Sequence, residues 1–131
     1  MTPARGTVIR PAHYPGRAPI DAYGGGGFRF AGMSHRGSLL CLPDGIHGWP
    51  VVRAEDIDHS SLAQVLAQAD RVDVLIVGTG ADLVPLPRAL RAELSDMRIV
   101  AEPMSTGAAV RTFNVLLAEE RAVAAALIAV D

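Results

Sequence analysis

The sequence contains no lysine, because all twelve of its basic residues are arginine. The chain acting alone therefore cannot use a lysine Schiff base, the lysine of a phosphate-binding P-loop or the chemistry of a kinase. Its formal net charge of -2 at pH 7 also provides no excess positive charge to attract phosphate backbones. These absences predict no nucleic-acid partner.

Cysteine is nearly absent too, and the one residue present, Cys41, lies within the apolar run 39–42. It has no second cysteine for a disulfide or a zinc site, and its apolar neighbours predict a buried structural thiol. No two histidines have close metal-ligand spacing in the sequence; they are His13, His35, His47 and His59. We therefore expect no metal and no cofactor.

No long apolar run is present, since prolines and arginines interrupt residues 83–94 well short of the roughly 20 residues that span a bilayer. Residues 1–19 contain four prolines and lack the continuous apolar segment of a secretory signal. We expect no membrane insertion, a cytoplasmic location and a loose N-terminal arm over residues 1–19 that adds little stability. Residues 20–131 have the size of a single domain.

Short apolar segments separated by glycine follow the arm. Phe28 and Phe30 alternate with Arg29, which predicts a strand with both aromatic rings on one face. Residues 37–42 are predicted to form a second strand, and the turn at residues 43–45 returns the chain as a third strand over residues 46–52. The first third of the chain is therefore predicted to be a small β meander.

Helices and strands then alternate. Ser61 and Gln64 have the spacing of a capping box at the start of a helix, and the apolar run 74–77 predicts the central buried strand. Pro87 can begin a second helix, and residues 98–101 are predicted to form a further strand. A third helix is predicted over residues 105–118. A strand, helix and strand in this order imply parallel pairing through a right-handed crossover.

The final segment, residues 122–130, fits two structures. Its alanines favour a helix, whereas its valines, leucine and isoleucine also suit a buried strand. A strand would be apolar on both faces, as a covered sheet requires, while a helix would be apolar all round with no polar face for solvent. We therefore predict a buried strand.

Three segments together resemble a family of unknown function that includes a mitochondrial respiratory complex I assembly factor and an adipogenesis-associated protein. These segments are residues 20–30, 77–80 and 104–114, and the resemblance extends over about residues 20–130. It implies a three-layer α/β fold whose last sheet strand is residues 121–130. Relatives often have glycine where this chain has Glu120. The resemblance implies an assembly or scaffolding role and supplies no catalytic residues.

One candidate site follows the ends of two strands that are predicted to be adjacent and parallel. Open α/β sheets bind ligands at this edge, where free helix amides attract anions. The polar groups predicted there are Gly78, Thr79, Gly80, Ser105, Thr106 and Arg111. The alternative is structural, with Ser105 or Thr106 capping the third helix and Arg111 paired with a carboxylate. We favour the structural alternative.

A dinucleotide site is a poorer match. The turn after residues 74–77 begins like a dinucleotide-binding turn, and Glu102 could imitate the ribose-binding acid, but Leu83 occupies the position of the third glycine. The leading hypothesis is therefore a non-catalytic interaction or assembly protein with a protein partner. The alternative is a domain that binds a small anionic ligand at the edge of the sheet.

Overall fold

The computed structural model describes residues 13–131, so the prediction for residues 1–12 lies outside the described part of the chain. This part contains nine strands and three α-helices. The strands are β1 His13–Tyr14, β2 Ile20–Gly24, β3 Gly27–Phe30, β4 Met33–Arg36, β5 Ser38–Leu42, β6 Gly45–Trp49, β7 Val74–Gly78, β8 Val100–Met104 and β9 Val123–Leu127. The helices are α1 Ala63–Leu66, α2 Arg88–Asp96 and α3 Thr106–Ala118.

Six strands form the main sheet, in the order β1-β6-β5-β9-β7-β8. β7 is parallel to both β8 and β9, whereas the other neighbours are antiparallel. The predicted parallel pairing of β7 and β8 is confirmed. The prediction that residues 74–77 form the central strand is wrong, because β9 inserts between β5 and β7 and leaves β7 second from the edge.

The strands of the first third are divided between two sheets, so they do not form one continuous meander. β2, β3 and β4 form a separate three-stranded antiparallel sheet, whereas β5 and β6 form a hairpin within the main sheet. Phe28 and Phe30 are buried and Arg29 is exposed, as the alternation predicts. The two aromatic rings pack in the same cluster as the buried residues of α3.

The main sheet is the middle of three layers. One face packs against α1, α2 and the loops around them, and the other packs against α3 and the three-stranded sheet. This arrangement confirms the predicted three-layer α/β fold. Asn114 joins α3 to the three-stranded sheet. Its Oδ1 accepts from the Ile20 N–H at 2.9 Å, and its Nδ2 donates to the Ile20 carbonyl at 2.8 Å.

β9 confirms the prediction for the end of the chain. Val123, Ala125 and Leu127 face the α3 layer, whereas Ala124 and Ala126 face the α2 layer. All five side chains are buried. Small alanines on both faces allow the covering layers to approach the sheet closely, because they occupy little space between the backbone and the helices.

The end of the predicted arm that the structure describes contacts the main sheet. Tyr14 of β1 is paired with Ile46 of β6, and Ala18 is buried. Arg17 donates to the carbonyl of Arg121 at 3.1 Å. Residues 13–19 are therefore in contact with the domain that follows them.

The predicted capping box at Ser61 is wrong. α1 begins after Leu62, and no side chain caps it. The Ser61 hydroxyl instead accepts from the Asp58 N–H at 2.9 Å, and the Asp58 carboxylate accepts from the Ser61 N–H at 2.8 Å. Because this local turn uses the groups that a capping box needs, the helix starts later, at Ala63, and it extends over four residues.

α2 and α3 end in the same way, with a residue of left-handed backbone geometry directly after the C-cap. These residues are Arg98, with φ of 65°, and Glu120, with φ of 59°. After α3 the Glu120 N–H donates to the Leu117 carbonyl and the Arg121 N–H to the Leu116 carbonyl, which is the Schellman pattern. The strand predicted from residue 98 therefore begins two residues later, because Arg98 still terminates the helix.

We expect Glu120→Gly to stabilise the protein. A side chain in left-handed geometry costs about 1–2 kcal/mol, and glycine removes that cost while adding some unfolded-state entropy, so the net gain is about 1 kcal/mol. Chemical denaturation measures it. Glu119→Gly is the matched control and should lower stability, because the Glu119 φ of -85° needs no glycine. Equal losses in both variants would contradict this account of the helix end.

Candidate functional site

The carboxyl ends of three parallel strands meet at one edge of the main sheet. Gly78, the last residue of β7, is paired with Met104 at the end of β8 and with Leu127 at the end of β9. α3 starts directly after β8, and its N-cap Ser105 accepts from the Ala108 N–H at 3.4 Å. The predicted juxtaposition of the two loops and the predicted cap at Ser105 are both present.

Thr106 joins the three strand ends. Its side chain is completely buried, and its hydroxyl donates to the Ile128 carbonyl at 2.7 Å while accepting from the Gly80 N–H at 3.1 Å. The Thr106 N–H also donates to the Gly80 carbonyl at 2.8 Å. The loop after β7, the start of α3 and the end of β9 are therefore connected through one threonine.

Thr79 has a similar structural role. Its oxygen lies 2.7 Å from the Asp82 carbonyl and 3.1 Å from the Met104 carbonyl, which share its one proton, and it accepts from the Val84 N–H at 2.9 Å. The side chain is 5% exposed. The hydroxyls of both candidate threonines thus already bond to the backbone, which agrees with the structural alternative.

Gly78 is placed where a side chain would be crowded. A β-carbon there would lie 3.0 Å from both the Cα and the Oγ1 of Thr106, and 3.2 Å from the Cβ of Ala109. This contact allows α3 to pack directly on the end of β7. The glycine therefore serves helix packing, which is a different task from admitting a pyrophosphate.

An open crevice of about 560 Å³ lies above these strand ends. The polar groups that line it come from the three-stranded sheet, the loop after β6 and the edge loops, and they include Tyr23, Arg53, Thr79, Gly80 and Ser105. Arg111 is exposed on α3 and does not line the crevice. It lies between the buried Val110 and Phe113, and the helical period turns it toward solvent.

Sequence reasoning missed the cation that does line the crevice. Arg53 is in the loop after β6, and its guanidinium lies 3.8 Å from the Glu55 carboxylate with both side chains about two-thirds exposed. Nothing in the local sequence placed this loop beside the ends of β7 and β9, because that proximity follows from the sheet order.

The nucleophile and acid-base candidates lie elsewhere. Cys41 is buried in β5, and burial raises the pKa of its thiol to about 12, so the thiol stays neutral near pH 7. His47 bonds to Asp44 at 2.9 Å, and His59 bonds to Glu93. Within residues 13–131, no three such side chains are grouped to hold a metal ion, and no helix is long and apolar enough to cross a membrane.

Comparison with known proteins places this architecture in a family. The profile of the family described as "Protein of unknown function (DUF498/DUF598)" matches residues 20–128. The chain belongs to this family. That membership confirms the resemblance stated from residues 20–30, 77–80 and 104–114.

Two relatives of the DUF498/DUF598 chain show the range of the family. An uncharacterised protein of Rhodobacter capsulatus is 44% identical over 88% of this chain and 87% of its own length. The NADH dehydrogenase [ubiquinone] 1 alpha subcomplex assembly factor 3 of Danio rerio is 36% identical over 83% of this chain. This chain spans 63% of that animal protein, so it matches about three fifths of the relative.

A solved structure supports the same fold. A Bartonella henselae protein described as an outer membrane protein superposes with a TM-score of 0.88 at 57% sequence identity. The match covers 91% of this chain and 100% of that one. The three-layer architecture is therefore shared with an experimentally determined relative.

Proposed function

We propose that this DUF498/DUF598 chain is a non-catalytic assembly protein that binds subunits of an NADH dehydrogenase during their assembly. The observation that carries the proposal is the 36% identity, over 83% of the chain, with a protein named as an NADH dehydrogenase assembly factor. Because the match covers 109 residues of this chain, it extends well beyond a single motif. An assembly role requires a surface for a protein partner and no reactive group.

The described surface is compatible with such a role. Several large apolar side chains are exposed, with Val52 at 75%, Leu83 at 58% and Val100 at 55%. Leu83 follows the Thr79 loop, and Val52 lines the crevice. Exposed apolar side chains gain free energy when a partner covers them, so they are the usual core of a protein interface.

A small anionic ligand in the crevice is the second candidate, and it has less support. Its favourable features are the N-terminus of α3 and the guanidinium of Arg53. Against it, the Thr79 and Thr106 hydroxyls are occupied by backbone groups, and Arg111 lies outside the crevice. The assembly proposal does not require the Thr79 or Thr106 hydroxyl to give up its present hydrogen bonds.

Native co-purification tests the assembly proposal. The chain, tagged and expressed at its normal level in its own cells, is expected to retain NADH dehydrogenase subunits in amounts comparable to itself. An unrelated tagged protein of equal abundance is the control. Recovery of no such subunit would contradict the assembly proposal. Turnover of a small metabolite by the purified chain would contradict a non-catalytic role.

A further inference from the structure

β8 is an unpaired edge of the main sheet within the described residues, because it pairs with β7 alone. The Val100 N–H donates to the Asp73 carbonyl at 2.9 Å, and the Met104 carbonyl accepts from the Thr79 N–H at 2.9 Å. Since peptide groups alternate in direction along a strand, those of Ala101 and Pro103 point away from β7. The free edge therefore presents two carbonyls and a single N–H donor, that of Ala101.

A groove of about 470 Å³ runs along this edge, between β8 and α2. Arg88, Arg91 and Ser95 line it from the helix, whereas Val100, Ala101 and Glu102 line it from the strand, with Ile99 just before the strand. Both arginines are exposed, and neither forms an ion pair with any residue of the described chain. The helix wall of the groove is therefore positive on a chain whose net charge is negative, and the strand wall carries the single carboxylate of Glu102.

The two sides of the edge differ in chemistry. By strand register, Ala101 points to the α2 layer, where the arginines lie, whereas Val100 and Glu102 point to the α3 layer, although both also border the groove. An added strand would alternate in the same way, so every second side chain would lie beside the arginines and the others beside the exposed Val100. Carboxylates suit the first set and apolar side chains the second.

We propose that the β8 edge is the docking site for an extended segment of a partner protein with alternating acidic and apolar residues. The segment adds a strand to the sheet, bonds to the peptide groups of Ala101 and Pro103, and places carboxylates beside Arg88 and Arg91. Pro103 has no N–H and so limits how far such pairing extends along the edge. The proposal rests on the assembly role, for which it names the partner's chemistry.

A second copy of the chain is a less suitable occupant. Antiparallel pairing of two β8 strands about an axis perpendicular to the sheet would place both α2 helices on the same face. Arg88 and Arg91 of one copy would then lie near the same arginines of the other, and like charges repel. Charge complementarity therefore favours an acidic segment over self-association.

Fluorescence anisotropy of a labelled peptide of alternating glutamate and valine tests the docking site. The full chain is expected to bind it saturably, and Arg88→Glu/Arg91→Glu should weaken binding by about tenfold or more, with a strong salt dependence. Arg111→Glu is the matched control, because Arg111 is exposed and outside the groove. A peptide of alternating lysine and valine should not bind.

Ala101→Pro tests the backbone contribution. It removes the one outward N–H without removing a bond to β7, and it should abolish binding while circular dichroism stays unchanged. If this variant fails to fold, amide exchange on the unmodified chain decides: the peptide should slow exchange at Ala101 by about tenfold. Unchanged exchange at Ala101, equal binding by the Arg111 and Arg88/Arg91 variants, or dimerisation through β8 would overturn the proposal.

The docking site and the assembly role can fail separately. Co-purification of NADH dehydrogenase subunits with Arg88→Glu/Arg91→Glu at the wild-type level would overturn the β8 site and leave the assembly role standing. Peptide binding that follows the expected variant pattern, without any NADH dehydrogenase subunit in the native purification, would support the site and overturn the assembly role.

Discussion

Ala126→Asp is expected to unfold the protein. Ala126 is completely buried in β9, between β5 and β7, and its side chain faces the α2 layer. An aspartate there would have to lose its hydration without gaining a partner, at a cost of several kcal/mol, which is comparable to the whole stability of a domain. Thermal unfolding followed by circular dichroism should show no cooperative transition.

Ala89→Asp is the control for this substitution. Ala89 is exposed in the first turn of α2, where a negative charge near the helix N-terminus is favourable. Its melting temperature should stay close to that of the unmodified chain. A folded Ala126→Asp protein with near-normal stability would contradict the placement of β9 inside the sheet.

Thr106→Val is expected to cost about 2–4 kcal/mol. Valine keeps the shape of the side chain but removes the hydroxyl that bonds to the Ile128 carbonyl and the Gly80 N–H, so one buried and one partly buried polar group lose a partner. The corresponding fall in melting temperature is about 10 °C for a domain of this size. Thermal and chemical denaturation of the purified variant measure the loss.

Two controls separate the hydroxyl from the rest of the side chain. Thr106→Ser keeps the bonds and loses only a methyl group, so it should cost about 1 kcal/mol. Thr112→Val changes the same residue type on α3 at a partly exposed position, and its effect should be within about 0.5 kcal/mol. Equal losses at Thr106 and Thr112 would show that the hydroxyl bridge is unimportant.

Much of the layer structure could be predicted from sequence because apolar alternation is a local signal. Residues 122–130 are apolar at every position, a pattern that favours a strand covered on both faces over a surface helix, and β9 is such a strand. The order of strands could not be predicted in the same way. Insertion of β9 between β5 and β7 depends on pairing between distant segments, and no short pattern records it.

Several differences between the predictions and the structure have local causes. The side chain of Arg111 follows the helical period set by Val110 and Phe113, so the sequence already contained the signal that it points away from the sheet. The capping box at Ser61 failed because Asp58 competes for the same groups. Pro103 was a missed signal, since a proline inside an apolar strand favours an edge position, and β8 is that edge.

The roles of Thr79 and Thr106 illustrate a different limit. Threonine after a buried strand is compatible with a ligand site and with a backbone bridge, and sequence alone does not distinguish them. The distances of 2.7 Å from each hydroxyl to a backbone carbonyl favour the bridge. Ordering the strand ends in this way gives that end of the sheet a fixed shape, which a protein partner can recognise without a chemical step.

The amount of fully assembled NADH dehydrogenase in cells that lack this chain tests the central claim most directly. Native gel electrophoresis of their membranes should show a marked loss of the assembled enzyme and an accumulation of partly assembled subunits. Re-expression of the unmodified chain should restore assembly, whereas Ala126→Asp should not. A normal content of assembled enzyme in the deletion cells would contradict the assembly role.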